Sequence, residues 1–96
     1  MSLCLVLHDL NGLPAEAEKA FFEAIFEIAP DHWPLASGAV LVGTEVSPAY
    51  LRDHLRRSLV RAGVRPSMLL VTRVPGDLAT HGLPAEGEAW LREVLG

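Results

Sequence analysis

Residues 2–9 read Ser2-Leu3-Cys4-Leu5-Val6-Leu7-His8-Asp9. The apolar run from Leu3 to Leu7 is too short for a buried helix, is rich in Leu and Val, and is followed by the turn signal Asn11-Gly12. That combination predicts a β-strand. Side chains alternate across a strand, so Leu3, Leu5 and Leu7 share one face and Cys4 and Val6 the other. A strand with one wet face alternates apolar with polar residues. This one is apolar on both faces, so both sides of its sheet need cover.

Working outward, Pro14 to Ala29 reads as a helix, with Pro14 suited to the first helical position. Ala17, Ala20, Phe21, Ala24, Ile25 and Ile28 recur at helical spacing, and Phe22 and Phe26 widen that apolar face. Pro30 ends the helix. Asp31 to Ser37 reads as an edge strand, because Pro34 removes a donor that an inner strand would need. Gly38 supplies a tight bend. Ala39 to Thr44 is a strand, again apolar on both faces. Ser47-Pro48 is an N-cap followed by proline at the first helical position. The helix it opens runs to Ala62, with Leu51, Leu55, Leu59 and Ala62 inward and Gly63 as its C-terminal stop. Ser67 to Val74 reads as the last strand, closed by Pro75-Gly76. Asp77 to Leu83 reads as a loop. Pro84 to Leu95 reads as a short helix, with Ala89, Trp90 and Val94 as its core contacts.

Strand, helix, two strands, helix, strand is the split β-α-β order. The expected fold is therefore α+β: one ferredoxin-like β-α-β-β-α-β sandwich over residues 1–96, with an extra C-terminal helix. Two helices would cover one sheet face. The other face calls for either the terminal helix or a second subunit, and a homodimer is the favoured expectation.

With 96 residues the chain is one domain of modest core, which a partner subunit would help to stabilise. It is 50% hydrophobic and 21% charged, a globular composition. No apolar run approaches the roughly 20 residues that span a bilayer, so no membrane partner is expected. Nor does a basic stretch followed by a long apolar segment open the chain, so a signal peptide is not expected. The lone Cys4 allows no internal disulfide and points to the cytoplasm. The formal net charge of −4 opposes strong non-specific binding of nucleic acid. Five of the eight Lys and Arg nonetheless fall in one stretch, at Arg52, Arg56, Arg57, Arg61 and Arg65.

Asp9 is the foremost candidate site residue, because it follows the apolar run of the first, central strand. It either caps the Asn11-Gly12 turn or, paired with a second copy of itself, holds Mg²⁺. His8 beside it is a strand-end histidine or a general base. His32, His54 and His81 are scattered, with no metal-ligand spacing. Arg57, Arg61 and Arg65 stand at i, i+4, i+8, with Arg52 and Arg56 as a neighbouring pair. They form either a phosphate-contact face or a solvated face opposite the acidic first helix. No glycine-rich phosphate loop and no nucleophile triad is present, and Cys4 reads as a buried, inert thiol.

Three segments carry a family resemblance. They are Leu5-Val6-Leu7-His8-Asp9-Leu10; then Trp33-Pro34-Leu35-Ala36-Ser37 with Val40-Leu41-Val42, Thr44, Ser47 and Leu51-Arg52-Asp53; then Leu69-Leu70-Val71 through Val74, Gly76, Ala79 and Gly82-Leu83-Pro84. In this order they resemble the SinR-like and Cas-two-like small proteins of the CRISPR-adaptation nuclease superfamily, related to the virulence-associated D-type toxins. The resemblance implies a ferredoxin-like homodimer built on sheet faces. It further implies a metal-dependent endonuclease acting on RNA or DNA, with Asp9 as Mg²⁺ ligand and catalytic residue and Ser37 close to the site. Trp33 and Leu35 stand where nuclease members are polar, which predicts that they pack in the core or an interface. The alternative is a non-catalytic dimeric scaffold, associated with nucleic acid, in a defence system.

Overall fold

A computed structural model of the chain describes residues 2–9, 15–29, 31–65 and 68–96. Its elements are β1 (Ser2–His8), α1 (Ala15–Ile28), β2 (Asp31–Ala36), β3 (Ala39–Thr44), α2 (Pro48–Arg61), β4 (Leu69–Val74) and α3 (Ala85–Leu95). The expected Asn11-Gly12 turn, Pro14, Pro30 and Ser67 lie outside the described residues. Class and element order follow the expectation: an α+β chain with one four-stranded antiparallel sheet, ordered β2-β3-β1-β4, and three helices.

Local chemistry fixes the element ends. The Ser47 hydroxyl accepts from the Tyr50 amide at 3.1 Å, and Pro48 follows it as the first helical residue. At the other end of α2, Gly63 takes φ +82°, and the Val64 amide donates to the Leu59 carbonyl at 2.8 Å. That left-handed glycine closure satisfies carbonyls the helix leaves orphaned. β2 is an edge strand carrying Pro34 and a register shift between Pro34 and Ala36, as its proline requires.

One sheet face is sealed. Cys4 and Val6 from β1 and Val40 and Val42 from β3 meet Phe21, Ala24 and Ile25 of α1 and Leu51, Leu55 and Leu59 of α2, all fully buried. Two expected core contacts differ. Phe26 is 62% exposed, because it stands on the outward side of α1, and Ala62 is exposed past the last turn of α2.

The opposite face carries Leu3, Leu5 and Leu7 of β1, paired in register with Val74, Thr72 and Leu70 of β4 and with Gly43, Leu41 and Ala39 of β3. Here α3 covers one end only: Leu3 and Leu41 are buried with Leu91 and Val94. Of the contacts expected from α3, Val94 is buried, Trp90 half-buried and Ala89 exposed. The residues missed are Leu91 and Gly87. An added Cβ at Gly87 would lie 2.9 Å from the Trp33 indole, so the missing side chain is what lets α3 sit on β2. Trp33 packs against α3 there but is only half-buried, short of the core position expected, and Leu35 is 37% exposed. Toward the other end, Leu5, Leu7 and Ala39 are half-covered and Leu70 is 48% exposed.

Candidate functional site

The open end of the sheet is where the candidate residues gather. β1 finishes at His8, whose amide donates to the Gly38 carbonyl at 2.9 Å. That bond seats the Ser37-Gly38 turn beside the end of the first strand, with Gly38 at φ +85°, a value that only glycine adopts readily. His8 also pairs with Leu69 at the start of β4. Register alone therefore brings Asp9, Ser37 and the entry to β4 to one end of the sheet. The helix α2 also terminates at this end, since it runs back from the Thr44 end of β3 toward β4. Arg61 and Arg65 consequently share the end with Asp9, while Arg52, Arg56 and Arg57 lie further down α2.

Asp9 is half-buried, and its Oδ1 is buried with no hydrogen-bond partner among the described residues. A buried carboxylate oxygen with neither donor nor cation is costly, on the order of 1–3 kcal/mol for the lost hydrogen bond alone. Ser37 is exposed. His8 points toward the helices, its ring 4.7 Å from that of Phe21. Burial lowers its pKa, with the nearby Asp9 and Glu18 charges pulling the other way. It is thus a packing histidine, neutral at physiological pH.

The arginines sort differently. Arg52 bonds the neighbouring Asp53 at 3.0 Å, and Arg61 donates to the Ser58 hydroxyl at 3.3 Å. Arg56 and Arg57 line a shallow open groove with His54 and Val60. All four helical arginines are exposed, and Arg65 lies beyond the helix, so the expected stripe covers less than its spacing suggested. His54 is tied inward, its Nε2 2.9 Å from the Ala24 carbonyl. Burial raises the Cys4 thiol pKa, outweighing the nearby Arg73 charge, which suits an inert core residue.

Among the described residues, no group of three or more His, Cys, Asp or Glu converges on one point. At this end of the sheet Asp9 offers a carboxylate oxygen, and a hard cation can take as few as one or two carboxylates and fill its shell with water. Among the described residues, no helix is long and apolar enough to cross a membrane.

No family model, no curated protein and no solved structure matches this chain.

Proposed function

We propose that this is a ferredoxin-like, Cas-two-like cytoplasmic protein that works as a homodimer and cleaves RNA or DNA with Mg²⁺ held between two copies of Asp9. The observation that carries this reading is the buried, unpartnered Oδ1 of Asp9 at the open end of the sheet. Read from the β4 edge, the strand order β4-β1-β3-β2 supports the ferredoxin-like assignment.

Dimer geometry follows from the half-covered face. A second copy seated over Leu7, Ala39 and Leu70 would cover apolar surface and bring the two Asp9 carboxylates toward one another. Each carboxylate would contribute oxygen donors, so the site would be complete only across the dimer. Bound there, Mg²⁺ would screen the charge on the scissile phosphate and lower the pKa of its water. Arg61 and Arg65, at the same end, would hold the phosphate backbone, and the Ser37 hydroxyl would donate to a phosphate oxygen.

The test is purified protein with short RNA and DNA, in Mg²⁺ or Mn²⁺ and in EDTA. Cleavage should need the metal and disappear in Asp9→Asn, while the dimer persists. Cleavage that survives both EDTA and Asp9→Asn would sink the mechanism. The open apolar end also favours a second reading, a non-catalytic dimeric scaffold in a defence complex, since that surface serves assembly without Asp9. Inactivity of the wild type with both metals would select it.

A further inference from the structure

The outer surface of the helix layer is divided by charge. α1 carries Glu16, Glu18, Glu23 and Glu27 against Lys19, and α2 carries Arg52, Arg56, Arg57 and Arg61 against Asp53. The two helices are therefore equal and opposite, and all eight of those Glu and Arg side chains are exposed. Where the helices meet, one groove sets Ala20, Glu23 and Glu27 of α1 opposite Ser58 and Arg61 of α2, and Arg56 and Arg57 line a neighbouring groove that shares Arg61. Few of these charges are neutralised locally. Among the described residues, Lys19 pairs with Glu23 and Arg52 with Asp53, and no ion pair joins α1 to α2.

Apolar surface lies on the same layer. Phe26 is 62% exposed on α1, and Tyr50 and Val60 are each 52% exposed on α2. Exposed large apolar residues on a surface split evenly by sign are the makings of an interface, with a desolvated centre and charges that set the register.

From this pattern we infer that the α1–α2 layer is a self-association surface whose partner is a second copy of the same layer. The argument is symmetry. A two-fold axis lying along the groove sets α1 of each copy over α2 of the other. Acidic then meets basic twice, and the contact closes on itself as an isologous interface. Any other partner would have to carry both signs in matching ridges, which this chain already does. The inference does not rest on a metal at Asp9: Arg61 borders both surfaces, and the substitutions that test the layer leave Arg61 and Asp9 in place.

Ionic strength and charge reversal test it in the full chain. Exposed pairs are screened within a Debye length of about 10 Å at 0.1 M salt. Sedimentation should therefore show a mass increase at low salt that high salt removes. The pair Arg56→Glu and Arg57→Glu should lose this increase, as should the pair Glu23→Arg and Glu27→Arg, each with an unchanged circular dichroism spectrum. Mixing the two reversed proteins should restore association, because both α1–α2 contacts regain opposite signs. Carrying all four changes on one chain should also restore it. A mass independent of salt, or a mixture that stays unassociated, would overturn the inference. So would a reversed arginine pair that keeps its mass while losing affinity for short RNA or DNA, since the ridge would then be a phosphate contact. A sheet-face dimer would persist through every reversal, so the two associations can be told apart.

Discussion

On the helix side of the sheet, Cys4, Val6, Val40 and Val42 are closed over completely by α1 and α2. On the other side, Leu3 and Leu41 lie under α3, while Leu70 remains 48% exposed. The same four-stranded sheet builds both surfaces, so strand composition does not explain the difference. Cover does. Two helices of 14 residues each span the first face, whereas one of 11 residues, seated through Gly87 on Trp33, reaches only part of the second. The sealed face holds the fold together, and the half-covered face leaves apolar surface beside Asp9 and Ser37.

Breaking the sealed side should have the largest effect. Phe21→Ala removes the largest fully buried side chain of that core and should cost about 3–5 kcal/mol, enough to unfold much of a small domain. Urea denaturation measures it. On the half-covered side, Gly87→Ala gains up to about 1 kcal/mol of helix propensity but drives a Cβ into the rigid Trp33 ring. Overpacking of this kind costs about 1–3 kcal/mol, so the net change should be a loss, with altered tryptophan fluorescence as α3 lifts. A net gain in stability would mean that α3 is not held by that contact.

A smaller effect comes from pH. Burial depresses the His8 pKa below its usual 6.5, so as pH falls the unfolded chain takes up that proton first. His8 therefore leaves stability unchanged above the usual value and lowers it as pH drops through 6.5 toward the depressed folded-state value. His8→Gln should flatten that part of a melting-temperature profile. Smallest in stability is Leu70→Asp, at an exposed site, which should change folding energy by within about 0.5 kcal/mol. It should nonetheless dissociate a dimer built on the open end, as sedimentation would report. An unchanged mass would move the dimer contact elsewhere.

Much of this contrast was legible in the sequence. The doubly apolar Leu3–Leu7 run announced that both faces needed cover, and Ser47-Pro48 and Gly63 marked α2 to within a residue. What stayed hidden depends on tertiary contact. Phe26 has the same periodicity argument as Phe22, yet Phe22 is half-buried and Phe26 is 62% exposed, a difference that only tertiary packing sets. Gly87 is silent as a letter, because its role lies in what Trp33 would strike. Ala89 and Leu91 stand on nearly opposite faces of α3, about 200° apart, and where the helix lands decides which is buried. Asp9 was readable as a candidate from its place after β1. The orphaned state of its Oδ1 was not, since it arises from neighbours that the one-dimensional pattern does not name.

Binding of Mn²⁺ tests the central claim most directly, because it separates the Asp9 site from any choice of substrate. Titrated into the wild-type protein, Mn²⁺ should bind at one ion per two chains, and both Asp9→Asn and the dissociating Leu70→Asp should abolish binding. One ion per chain, or binding retained in Asp9→Asn, would contradict a metal site shared by two Asp9 carboxylates.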